Sequence, residues 1–173
     1  MIQAERPVPR VLVGTVMAAQ TRGGEDLGKI AAEEVRAAKM KLVRNVFVNG
    51  ERQFIQQLVS NVSNANEADA IILVGGTGFG PRDTTSEAID TFVERRIEGF
   101  GDAFRDMLRT EMGFGAQALL SRATAGVYNQ CLVFAMTGRA SDVKRAMQTL
   151  IVPTLSDAVE LATGRMRASL LGA

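Results

Sequence analysis

AIILVGGTGFGPRDTTSEA, residues 70–88, passes from five consecutive apolar residues into a glycine-rich turn and then into the polar start of a helix. A short apolar run without alternation, closed by glycines, reads as a strand covered on both faces. The same strand-then-helix order occurs twice upstream. Val11 to Met17 (VLVGTVM), preceded by Pro7 and Pro9, predicts a first buried strand. Beyond a polar turn from Gln20 to Gly24, Glu25 to Lys39 is rich in good helix formers, with acidic residues first. Leu42 to Val48 (LVRNVFV) predicts a second strand, and Phe54, Ile55, Leu58, Val59 and Val62 stripe one face of a second helix. Three such repeats predict an α/β fold whose parallel sheet has right-handed crossovers and helices on both faces. Ligands of such sheets bind beyond the carboxyl ends of the strands.

Downstream of residue 88, Ile89, Phe92, Val93 and Ile97 recur at helical spacing, which predicts one helix with Glu94, Arg95, Arg96 and Glu98 on its solvated face. Another helix is expected over Asp102 to Met112. In Ala123 to Met136, Asn129-Gln130 between two apolar runs suggests a hairpin or a bent strand. Val143, Ala146, Met147, Leu150 and Ile151 mark the last helix, with Ser141 as its expected N-cap, and Pro153 should kink or restart it before Leu155 to Ala162. These readings give one domain over residues 9–164, an N-terminal extension over 1–8 and a loose tail over 165–173.

The chain has 173 residues, of which 46% are hydrophobic and 23% charged, enough apolar material for a single globular core. Its net charge of +1 lacks the basic excess of a protein that grips nucleic-acid phosphates, so no nucleic-acid partner is expected. Histidine is absent and Cys131 is the one cysteine, which excludes His-based catalysis, His/Cys zinc sites, Cys–His nucleophile pairs and an internal disulfide. The neighbours of Cys131 make it a buried strand thiol. The opening MIQAERPVPR lacks the apolar core of a secretory signal, and no apolar run reaches the ~18–20 residues of a membrane span. No membrane partner and a cytoplasmic location are expected.

Residues 75–88 also carry the candidate chemistry. Glycines at 75, 76, 78 and 80 let backbone approach a ligand, and the loop lies where N–H groups and a helix start can cradle an anion. Arg82 offers a fork for phosphate, and Asp83 a carboxylate for a hard cation such as Mg²⁺. Thr84 to Glu87 has the pattern of a helix cap. The spacing is neither that of a P-loop nor of a dinucleotide fingerprint, and the glycines alone are equally compatible with plain chain reversal.

The whole string says more. GGTGFGPRDTTSEA resembles the GGTG-x-x-x-x-D-x-x-x-E-A loop of the MoaB/MogA family, the molybdopterin-binding proteins of molybdenum cofactor biosynthesis. Further matches follow in order: Ile97 to Gly101 with Phe104-Arg105, then Leu120 to Val127 (LSRATAGV), then Leu132 to Met136 (LVFAM). The likeness covers roughly residues 9 to 160 and is greater to the MoaB branch. It implies a three-layer α/β/α domain with a mostly parallel sheet, assembled as a homo-oligomer, trimer or hexamer. It also implies binding of molybdopterin and, with Mg²⁺ and ATP, adenylylation of the pterin's terminal phosphate. Under it, Gly75, Gly76, Thr77 and Gly78 hold phosphate or pterin, with Arg82, Glu87 and Gly138 in the same binding set. Ser121 becomes a hydrogen-bond donor, Arg122 a phosphate partner, and Asp83 the catalytic carboxylate that orients Mg²⁺. For Ser121 and Arg122, a capped turn with a solvated charge reads equally well.

Four segments depart from the family pattern: Met17-Ala18, Leu27 within Glu25-Asp26-Leu27-Gly28, Gly50 beside Glu51, and Thr137-Gly138-Arg139-Ala140, which adds a cation. They support a second reading, a divergent non-catalytic relative acting as an oligomeric binding or scaffold protein. Phe100, Phe104, Phe114 and the apolar stretch Gly113 to Leu120 suggest a subunit contact.

Overall fold

The structure, a computed structural model, describes residues 7–16, 26–112, 115–136 and 138–164, with side chains apart from those of 111 and 112. Strands β1 (Arg10–Val16), β2 (Lys41–Val48) and β3 (Ala70–Val74) alternate with helices α1 (Leu27–Ala37) and α2 (Arg52–Asn64). After β3 come α3 (Thr85–Asp90), β4 (Arg95–Arg96), α4 (Glu98–Met112) and α5 (Ala116–Leu119). Strands β5 (Thr124–Tyr128) and β6 (Cys131–Met136) follow, then α6 (Ala140–Ala146), a π-helical turn (Met147–Ile151) and α7 (Val152–Ala162). The sheet runs β2-β1-β3-β6-β5-β4. The first four strands in that order are parallel, and β5 and β4 are antiparallel additions at one edge.

Alternation along the central strands builds two cores. Val11, Val13, Ile72, Val74, Phe134 and Met136 point into one layer, against α1, α4 and the C-terminal helices. Leu12, Ile71, Leu73, Val133 and Ala135 point into the other, against α2 and α3. This is the expected three-layer arrangement, and it explains why β3 reads as a continuous apolar run. Asp26 caps α1 by accepting from the Lys29 N–H at 3.1 Å. Among the described residues no helix is long and apolar enough to cross a membrane.

Several expectations need correction. The helix expected from Ile89 to Ile97 stops at Asp90, and Arg95–Arg96 is instead an edge strand on β5. Its charges therefore share no helical face, and Arg96 pairs with Asp90 and Glu98. Ser141 is not the last helix's N-cap; Arg139 is, with Asp142 accepting from the Arg139 N–H at 2.9 Å. Thr84 is the N-cap of α3 but makes no side-chain capping bond. Its hydroxyl instead donates to the Gly50 carbonyl at 2.5 Å. Phe100 and Phe104 are buried in the core, which withdraws them from any subunit contact, while Leu119 and Leu120 are exposed. Asn129-Gln130 is a hairpin turn, Cys131 is buried, and Pro153 lies in the first turn of α7. Met17-Ala18, the Gln20 to Gly24 turn, Glu25, Gly113-Phe114, Thr137 and the tail lie outside the described residues.

Candidate functional site

Strand β3 delivers residues 75–84 to the carboxyl end of the sheet. There the Gly75 N–H donates to the Met136 carbonyl at 2.8 Å, joining the ends of β3 and β6. Gly75 and Gly76 turn the chain at φ +115° and +70°. A β-carbon at Gly76 would stand 2.3 Å from the Thr85 hydroxyl oxygen, so this bend requires glycine. The Thr85 N–H closes the bend on the Gly76 carbonyl at 2.9 Å.

Arg122 fixes the far half of the loop. Its Nε donates to the Gly78 carbonyl at 2.9 Å, a terminal nitrogen donates to the Asp83 carbonyl at 3.0 Å, and the guanidinium forms an ion pair with Glu87. The Phe79 ring lies over the same guanidinium, 4.9 Å from ring centre to Arg122 Cζ. Ser86 donates to the Arg122 carbonyl at 2.6 Å, tying α3 to the α5–β5 connection. Arg122 is thus engaged as a clamp on loop carbonyls and Glu87 rather than lying as a free solvated charge, and it borders a cavity on the loop's far side. Burial pushes the Glu87 carboxyl up, but the Arg122 hydrogen bond and charge and Glu87's own backbone N–H outweigh it. The group sits below its ordinary value.

A cavity of about 410 Å³ opens between Thr77, Gly78 and Phe79 of the loop, Leu120 and Ser121 before β5, and Arg139 after β6. Gly138 borders it too. Thr77 borders this space but is fully buried, and its hydroxyl, itself shielded from solvent, has no hydrogen-bond partner among the described residues. A buried hydroxyl without a partner costs about 1–3 kcal/mol, a penalty that a bound polar group removes. On the loop's other side a second cavity of about 460 Å³ is bordered by Arg52, Asp83, Glu87 and Arg122.

The structure therefore divides the expected site residues. Thr77, Gly78, Ser121 and Gly138 gather at the first cavity, while Asp83, Glu87 and Arg122 border the second. Gly75 and Gly76 shape the loop from within, and Arg82 is exposed and borders neither space. Glu51, next to Gly50, accepts from Gln53 at the start of α2 and borders neither space either. Asp142, fully buried beside the first cavity, escaped the sequence reading; its place three residues beyond Arg139 at a helix start was the available signal.

Asp83 Oδ2 accepts from the Gly80 N–H at 2.9 Å. No set of three or more metal-ligating side chains occurs among the described residues. A single carboxylate fits Mg²⁺ in the mode where substrate phosphates and water complete the shell.

Comparison with known proteins agrees with this fold. A family described as a probable molybdopterin binding domain matches residues 12–157. Molybdenum cofactor biosynthesis protein B of Bacillus subtilis is 35% identical over 152 residues, covering 88% of this chain and 89% of that protein. A crystal structure of a molybdenum cofactor biosynthesis protein B superposes with a TM-score of 0.82 at 29% identity, covering 93% of this chain and 99% of the other. A molybdopterin biosynthesis protein from Mycobacterium abscessus gives 0.77 at 29% identity, over 95% and 99%.

Proposed function

This chain belongs to the molybdopterin-binding family of molybdenum cofactor biosynthesis, and from that premise we propose that it binds molybdopterin in the 410 Å³ cavity and adenylylates the pterin's terminal phosphate. The observation that carries the reading is the cavity itself, bordered together by Thr77 and Gly78 of the clamped glycine loop, Ser121 and Gly138 at the carboxyl end of the sheet. Thr77, Gly78 and Ser121 supply donors to the phosphate, and Phe79, Leu108 and Leu120 supply apolar surface to the ring system. A phosphate oxygen of the pterin attacks the α-phosphorus of ATP. The new P–O bond forms as the bond to the β-phosphate oxygen breaks, and pyrophosphate leaves with that electron pair. A phosphate nucleophile is already ionised near neutral pH, so the absence of histidine is no obstacle. The protein contributes positioning and preorganised donors.

Asp83 is the residue that would hold Mg²⁺, whose chemistry is to offset phosphate charge. Its carboxylate lies on the loop's other side, which orients that role toward a nucleotide entering from the 460 Å³ cavity. The reading includes assembly as a trimer or hexamer and a cytoplasmic setting.

Calorimetric titration of the full chain with molybdopterin, then ATP and Mg²⁺ with pyrophosphate release followed, tests the proposal. Binding with release is the expected result; absence of pterin binding overturns it. The second reading, a relative that binds without turnover, is favoured by one observation: the Gly50 carbonyl is already bonded to Thr84, and among the described residues the buried Asp142 is the one carboxylate bordering the first cavity. Pterin binding without pyrophosphate release would decide for it.

A further inference from the structure

We propose that Arg52 determines ligand specificity in the 460 Å³ cavity by binding the polyphosphate of a nucleotide opposite Asp83. The inference deepens the function proposed above and rests on its placing of the nucleotide on this side of the loop. Four charged residues border the space, Arg52, Asp83, Glu87 and Arg122. Two of them are committed, since the Arg122 guanidinium holds two loop carbonyls and the Glu87 carboxylate. The other two are not. Arg52 is exposed and, among the described residues, forms no hydrogen bond and no ion pair. The Asp83 carboxylate accepts from the Gly80 N–H through Oδ2 at 2.9 Å and makes no ion pair among the described residues. Opposite charges thus border one cavity without meeting.

Two bonds fix the start of α2 against the loop. The Thr84 hydroxyl donates to the Gly50 carbonyl at 2.5 Å, and Gln56, one turn beyond Arg52, donates to the Ala88 carbonyl at 3.0 Å. The backbone that carries Arg52 is therefore in place before a ligand arrives, which reduces the freedom lost on binding. The helix itself does not call for a cation here, because a positive charge in the first turn opposes the helix dipole and no acidic side chain in that turn offsets it. A planar guanidinium binds phosphoryl oxygens two at a time, and a carboxylate takes up the metal ion that accompanies a polyphosphate. A magnesium–nucleotide complex, negative at its phosphates and positive at its ion, matches both unmet charges in one ligand. A bare monoanion matches only the arginine.

The competing account is that Arg52 only supports Glu87, whose carboxyl its charge helps to hold low behind the larger influence of Arg122. That account predicts a lower melting temperature in R52A with unchanged ligand affinity. R52A and R52K are checked by circular dichroism and thermal melting beside R95A, an exposed arginine that borders neither cavity. Each full chain, and the parent, is then titrated at fixed ionic strength in Mg²⁺ with ATP, AMP, inorganic pyrophosphate and molybdopterin. R52A is expected to melt with the parent and to bind ATP and pyrophosphate about 10-fold more weakly, with R52K in between and R95A unchanged. AMP should lose less than ATP, and molybdopterin nothing. Parent-like affinity of R52A for ATP and pyrophosphate overturns the inference while leaving the proposed function intact. An equal loss in R95A overturns it too, by reducing the effect to the diffuse field of the surface, and a loss on AMP as large as on ATP overturns the assignment to the polyphosphate. If the parent binds pyrophosphate but not molybdopterin, and R52A loses that binding, Arg52's role stands and the proposed function falls. If the parent binds none of the four, both fall.

Discussion

Gly76 adopts φ +70° with the Thr85 hydroxyl 2.3 Å from where a β-carbon would stand. Gly76→Ala therefore meets both a left-handed backbone and a collision, and should cost about 1–3 kcal/mol, read as a lower urea midpoint, together with loss of pterin binding. Cys131 is a different residue-scale case. Burial pushes its thiol up to about 12, from an ordinary value of 9.0. Between those values the native chain retains a proton that the unfolded chain has released, so the thiol's contribution is full below about pH 9 and fades as pH rises. The parent should lose stability more steeply than Cys131→Ala between about pH 9 and 11 in urea titrations, and its thiol should react with a disulfide reagent only on unfolding. At this scale the sequence was partly legible. The Cys131 environment follows from its apolar neighbours, and the glycine loop from its spacing. The clamp of Arg122 on Gly78 and Asp83 does not, because it joins residues about forty positions apart through carbonyls that no side-chain pattern records.

The β5–β6 turn illustrates what one element can gain. Asn129 and Gln130 adopt φ of +44° and +64°, the pair of left-handed values that a tight hairpin with right-handed strand twist demands. Asn129 also donates to the Asn64 side chain at 3.1 Å, whereas Gln130 only bears the strain. Gln130→Gly should accordingly stabilise the protein by about 0.5–1 kcal/mol, measured as a raised urea midpoint with an unchanged slope. The helix expected over Ile89 to Ile97 shows how an element can mislead. Its apolar spacing is genuine, since Ile89 is buried and Phe92 and Val93 pack on the same core, but the chain leaves the helix to cross β5. It can do so because Gly126 has no side chain: a β-carbon there would stand 2.6 Å from Val93 and 2.8 Å from the Arg95 carbonyl. Tertiary contact overrode helical periodicity, and the deciding residue lay thirty positions away.

At the scale of the whole molecule, the layered architecture was legible because the central parallel strands β1, β3 and β6 are apolar on both faces, a pattern that survives without knowledge of strand order. The antiparallel edge was not, because β4 has only two residues, both charged. Phe79, Leu119 and Leu120 leave apolar surface exposed near the first cavity, and the proposed assembly would cover such surface. Sedimentation at micromolar concentration should give a trimer or hexamer; a stable monomer would remove that part of the proposal. The strand order also dictates a history. β3 lies between β1 and β6, with Ala70 paired to Val11 on one side and to Leu132 on the other. On the ribosome its first neighbour is already present when β3 emerges, while the second is not made until about sixty residues later. During that interval the nascent chain presents the most apolar strand of the protein with one margin unpaired, a template for strands of neighbouring nascent chains. Synthesis that pauses between Val74 and Cys131 therefore endangers yield more than a pause elsewhere, and the cavity itself, walled by residues 77–79 and 138–142, comes into being only when translation is nearly over.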